Sequence, residues 1–127
     1  MWELVEWHDG LEVRFRGRIT DRELDEANRA SYVSLPKDRP AAVVFDLTDV
    51  EELTATGDAL HSTAQYDVAM SREYPHLVTV IVAPTPLFYG FARQWQLQAD
   101  PLSSLVVHAR GEAVEWLAER GLQLRDE

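Results

Sequence analysis

From Asp46 to Asp58 the chain reads DLTDVEELTATGD, which gathers Asp46, Asp49, Glu51, Glu52 and Asp58 around the hydroxyls of Thr48, Thr54 and Thr56. Carboxylates grouped at a strand end could hold Mg²⁺, but that ion usually binds together with a phosphate substrate and a phosphate-binding loop. No GxxxxGK[ST], GxGxxG or GxSxG string occurs. Solvated carboxylates at an acidic turn are therefore the reading, and no metal or cofactor is expected. His8, His61, His76 and His108 are far apart, with no i, i+4 pair and no HExxH frame. No nucleophile can be paired with a base, so the chain reads as a non-enzyme. Thr56 is the residue with chemistry to offer: a hydroxyl where a strand gives way to a helix can cap that helix or be reached by a partner.

The bulk properties narrow the classes further. A chain of 127 residues with 46% hydrophobic and 27% charged residues suits one globular domain spanning residues 1–127. The absence of cysteine removes disulfide scaffolds, thiolate zinc sites and Cys nucleophiles together. A formal net charge of −10 argues against a nucleic-acid groove, since phosphate binding needs clustered Lys and Arg. The start MWELVEWHDG has no basic region followed by an apolar one, and no later run is long enough to span a membrane. A cytoplasmic protein is expected.

The elements that must position Thr56 follow from periodicity. Asp9 and Gly10 suit a two-residue hairpin turn, and Leu11, Val13, Phe15 and Ile19 alternate with charged residues as in a half-buried strand. Thr20 and Glu23 form a capping-box pair ahead of a helix over 21–35. AAVVFDL has the unbroken apolar character of a central strand. A second helix is expected from Thr56 or Gly57 to Tyr74, before Pro75. HLVTVIVA gives another strand, and Thr85 with Pro86 opens a third helix whose buried stripe is Phe88, Phe91, Ala92 and Trp95. SSLVVHA and GEAVEWLAERG close the chain as strand and helix. The order is ββαβαβαβα: a single α/β domain with a mixed central β-sheet and packed helices.

This order, with VVFDLTDVEELTATG inside it, resembles the STAS domains of anti-sigma-factor antagonists, whose central segment reads approximately VVLDLSGVxxIDSSG. The register agrees without a gap from Val43 to Gly57. FRGRITDRELDEA is similar to the family's approach to its first helix, and QADPLSSLVVHARGEAVEWL to its closing strand and helix. The YGFAR string after the VAP strand end is similar to bacterial lone-domain SpoIIAA-like proteins. The resemblance implies a STAS/SpoIIAA-like fold and a regulatory or protein-interaction module. It also implies Thr56 as a phosphoacceptor for a partner such as a regulatory kinase, with Thr54, Ala55, Gly57 and Asp58 as the partner-docking loop. Thr54 stands where the family has Asp and Ala55 where it has its first Ser, so the switch chemistry is not reproduced intact, and a structural helix cap at Thr56 is the plainer account.

A competing reading comes from Gly90, which sits inside a helix where it costs about 1 kcal/mol relative to Ala. Close packing would explain it, with Gly90 touching backbone or a ring. The alternative is a small-ligand or lipid-binding cleft floored by Gly90 and bounded by Tyr66, Met70, Tyr89 and Trp95. The hairpin register places Trp7 and Val5 opposite Glu12 and Arg14 on an outer sheet face, and a homodimer burying Trp7 is expected there.

Overall fold

In the computed structural model, which describes residues 1–54, 56–100 and 102–124, the order expected from the sequence is found. It runs β1 (Trp2–Trp7), β2 (Gly10–Ile19), α1 (Asp21–Val33), β3 (Ala41–Leu53), α2 (Gly57–Met70), β4 (Leu77–Val82), α3 (Pro86–Gln98), β5 (Ser104–Val107) and α4 (Arg110–Glu119). The strands lie in sequence order in one sheet, with β1 antiparallel to β2 and every other neighbouring pair parallel. This is a single α/β domain with a mixed five-stranded sheet.

Strands buried on both faces need apolar residues at odd and even positions alike, and β3 and β4 supply them. Val43 and Ile81 face a large core closed by Ala27 and Tyr32 of α1, Leu60 and Ala64 of α2, and Phe88, Ala92 and Trp95 of α3. Ala42, Val44, Val80 and Val82 face a smaller core closed by Ala113 and Leu117 of α4. Glu12 is buried in β2, where Arg14 reaches it at 3.0 Å and Arg110, the first residue of α4, at 3.0 and 3.3 Å. Burial alone would push the Glu12 carboxyl up, but the two guanidinium groups more than offset this and hold it below its ordinary value.

Two local expectations are corrected. The segment after Asp46 is not an acidic turn. It continues β3 to Leu53, because Arg16 and Arg18 of β2 stand across from Asp49 and Glu52, and opposite charges on neighbouring strands favour pairing. Leu47 and Val50 are buried while Thr48, Asp49, Glu51 and Glu52 are exposed. Register shifts between Arg14 and Arg16 and between Gly17 and Arg18 accommodate the pairing. The hairpin turn falls on His8 and Asp9 rather than on Asp9 and Gly10, so Trp7 pairs with Gly10 and Val5 with Glu12. The shift is two residues, which leaves each side chain on the face expected. Helices α1 and α2 also stop earlier than expected, at Val33 and Met70.

Gly10 starts β2 beside Ala42 of β3. A Cβ built there would lie 1.8 Å from the Ala42 carbonyl oxygen, and its φ of +158° is one that side-chain-bearing residues rarely adopt. Backbone, not a flexible side chain, would have to move. Gly10→Ala is therefore expected to destabilise the fold by roughly 3 kcal/mol, at the upper end of overpacking costs, measured as a shift of the urea midpoint. A midpoint equal to that of the parent would contradict the β2–β3 register.

Candidate functional site

Between the sheet and helices α1, α2 and α3 lies a cleft lined by Phe15, Leu24, Asn28, Phe45, Leu47, Leu53, Leu60, Thr63, Asp67, Ile81, Phe91, Ala92 and Trp95. It holds about 50 Å³ of free space and is partly open to solvent. The place follows from the strands: β4 pairs with β3 only as far as Asp46, so the last turns of β3 run on past β4, with Leu47 and Leu53 on the cleft side. Helix α2 contributes Leu60, Thr63 and Asp67, spaced at three, four and seven residues on one face.

Asp67 is the polar centre of this apolar surface. It is 2% exposed and accepts three hydrogen bonds of 2.8 Å: from Asn28 Nδ2 and the Tyr32 hydroxyl on Oδ1, and from Trp95 Nε1 on Oδ2. One carboxylate on α2 thereby joins α1 and α3. Burial pushes its pKa from 3.8 up to about 6, against the opposing pull of those three donors. Burial, then the Asp67 charge, also raises the Tyr32 phenol, so Tyr32 stays a neutral donor. Tyr32 is itself fixed by ring contacts with Tyr66 and Tyr74 and by the Tyr74 hydroxyl, which donates to the Tyr32 carbonyl at 2.6 Å.

Nothing in the sequence reading singled out Asp67, Asn28 or Thr63. The signal was present: each is a polar residue on the stripe of a helix that otherwise carries core residues, beside Leu24 and Ala27 in α1 and Leu60 and Ala64 in α2. A polar residue in that position must find a partner within the protein.

Of the residues expected around a pocket, Trp95 lines the cleft. Tyr66, Met70 and Tyr89 pack against the margin of the large core instead, with Arg29 lying 4.3 Å over the Tyr66 ring and His108 stacked on Tyr89 at 4.3 Å. Gly90 is exposed, and a Cβ there would meet nothing within 4 Å. It is neither a pocket floor nor a close-packing point, because α3 turns the Phe88 and Ala92 side inward and position 90 outward.

Thr56 is exposed and is the N-cap of α2, its hydroxyl accepting from the Ala59 amide at 3.2 Å. Its own amide donates to Asp21 Oδ1 at 2.8 Å and its hydroxyl to Asp21 Oδ2 at 3.2 Å, which ties the starts of α1 and α2 together. Thr54 instead extends the strand pairing, donating from amide and hydroxyl to the Ile19 carbonyl. Gly57 has open space where a Cβ would go, so no close approach explains it, and Asp58 is exposed in the first turn. Ala55 lies outside the described residues. Among those residues no three acidic or histidine side chains form a metal-binding group. Asp46 is occupied in accepting from the amide and hydroxyl of Thr48. Trp7 and Val5, the residues on which the dimer expectation rests, are both half-buried, and Trp7 packs against the smaller core.

Comparison with known proteins bears on the fold. The crystal structure of a DUF3478-family protein of Shewanella loihica PV-4, described as uncharacterized and as having a SpoIIAA-like fold, matches with a TM-score of 0.59. The identity is 14%, and the match covers 92% of each chain. The fold of this chain is SpoIIAA-like. No family model matches the sequence, and no curated protein matches it. Among the described residues no helix is long and apolar enough to cross a membrane.

The raised pKa of Asp67 makes a prediction with a definite sign. A carboxyl whose folded pKa lies above its unfolded value binds protons more tightly when folded, so its contribution to stability is full below the unfolded value and is lost as pH rises through the folded one. With values of 3.8 and about 6, Asp67 should add about 2 kcal/mol of stability as pH falls from ~7 to ~4.5. Urea unfolding of the parent and of Asp67→Asn across this range checks it: the difference between them should move by that amount in favour of the parent. A difference independent of pH would contradict the placement of Asp67.

Proposed function

We propose that this SpoIIAA-like domain is a non-catalytic binding module that holds a small apolar molecule in the cleft between α1, α2, α3 and the sheet. The observation that carries the reading is the cleft itself, an open-mouthed space with Phe15, Phe45, Leu47, Leu60 and Phe91 on its walls and its polar residues confined to Asn28, Thr63 and Asp67. Apolar walls with a few fixed polar groups are the common make-up of small-molecule sites. A non-catalytic role is favoured by the state of Asp67, whose three donors hold it as a structural acceptor and leave it no free lone pair aimed at the Thr63 hydroxyl as a base. The small-ligand alternative raised by the sequence thus gains support, though on a different set of residues.

Ala92 supplies the test, because it is buried in α3 and its side chain borders the free space. Titration of n-octanol, followed by the Trp95 indole N–H resonance, is expected to be saturable in the parent. In Ala92→Leu the added carbons occupy the cleft, and binding should weaken at least ~10-fold, the equivalent of about 1.4 kcal/mol. Linear, non-saturating shifts in the parent, or equal binding in the variant, would sink the reading.

A second reading keeps the regulatory role implied by the STAS likeness, with Thr56 and its neighbours as the surface a protein partner meets. Its supporting observation is that Thr56 presents an exposed hydroxyl at a helix N-terminus, where free amides and the helix dipole favour a phosphate. Opposed to it is Asp21, whose carboxylate already accepts the Thr56 hydroxyl and would repel a phosphoryl group. Thr56→Glu is therefore expected to lower stability by about 1 kcal/mol, the loss of a cap, with octanol binding unchanged. A stability equal to that of the parent, together with altered binding to a regulatory kinase, would favour the switch instead.

A further inference from the structure

The polar floor of the cleft restricts what the apolar molecule can carry at its inner end. An ionised carboxylate can only accept hydrogen bonds, so the group that Asn28 turns to Asp67 is its amide Nδ2, at 2.8 Å, and its carbonyl Oδ1 is turned elsewhere. Asn28 is 3% exposed and lines the cleft, yet no donor to its Oδ1 occurs among the described residues. The Thr63 hydroxyl, also on the cleft, has no hydrogen-bond partner among them either. Beside these two atoms stands the Asp67 carboxylate, with one oxygen accepting two bonds and the other accepting one. The accessible lining is nearly all apolar, and the polar atoms set into it are a carbonyl oxygen, a carboxylate already holding three donors, and a hydroxyl that can act in either role. Among the described residues no cation lines it: the cleft residues include neither Lys, Arg nor His.

Resting on the reading of the cleft as a ligand site, we infer that its ligand is an apolar body ended by a hydrogen-bond donor, a hydroxyl or an amine, and that carboxylate-headed molecules such as fatty acids are excluded. A donor head meets the Asn28 carbonyl, which accepts from no described residue and is otherwise left to water. A carboxylate head would instead bring a second negative charge against Asp67 and leave the carbonyl unmet, and a buried charge without a partner is strongly disfavoured. An amine gains the additional attraction of the Asp67 charge, whereas an alcohol avoids the desolvation of an ammonium.

The test is a titration of the parent protein at neutral pH with n-octanol, n-octylamine and sodium octanoate, each read on the Trp95 indole N–H resonance. Salt at ~0.5 M shortens the screening length to a few ångströms, so that the chain's overall negative charge does not decide the outcome. Octanol and octylamine are each expected to bind at least ~10-fold more tightly than octanoate. Octanoate binding as tightly as either of the others overturns the inference while leaving the cleft as a ligand site. If none of the three gives a saturable shift, the ligand-site reading falls and the inference with it. Asp67→Asn, which removes the charge, is expected to narrow the gap between octanol and octanoate. An unchanged gap in that variant overturns the assignment of selectivity to this floor.

Discussion

Three helices meet over one face of the sheet, and a single carboxylate holds them in register. Asp67 of α2 takes donors from α1 and α3 at the same 2.8 Å, and it is nearly inaccessible to water. Hydrogen bonds to a charged group contribute about 1.5–3 kcal/mol each, while removing a carboxylate from water costs several kcal/mol. The two effects are of similar size, and the elevated pKa shows that desolvation outweighs the donors. The junction therefore adds little net stability. What it supplies is geometry: Asn28, Tyr32 and Trp95 each have one direction in which to point, and the cleft has the shape that results.

The sheet provides the complementary half. Its two faces are closed differently, by three helices over a large core and by α4 over a small one anchored through the Glu12 and Arg110 pair. On the first face the helices leave space, because β3 continues past its pairing with β4 and presents Leu47 and Leu53 beside Phe91. The acidic stretch that looked chemically active in the sequence serves this extension. Its carboxylates line up with Arg16 and Arg18 on the neighbouring strand and let a polar segment remain a strand.

Periodicity was a sound guide wherever one physical preference dominated. Unbroken apolar runs such as AAVVF and LVTVIV became strands buried on both sides, and Thr20, Thr56 and Thr85 each became an N-cap accepting from the third residue onward. It failed where tertiary pairing overrode local character. The stretch after Asp46 has turn-like composition, and only the arginines of β2, distant in sequence, make it a strand. Gly90 misled for the opposite reason: a glycine inside a helix suggests a close neighbour, but its position on the outward side of α3 leaves it without one. The candidate site was the least legible part. Its walls are ordinary core residues, and its floor is made by polar side chains whose meeting depends on how three helices pack, which no single segment encodes.

The claim that the space under these helices is a binding site is tested most directly by intermolecular nuclear Overhauser effects from n-octanol methylenes to the protein. The account predicts contacts to Leu60, Phe91 and Trp95, which border the cleft. Contacts confined to Leu87 and Leu97, the exposed leucines on the outer side of α3, would show an apolar probe adhering to the surface and would contradict it.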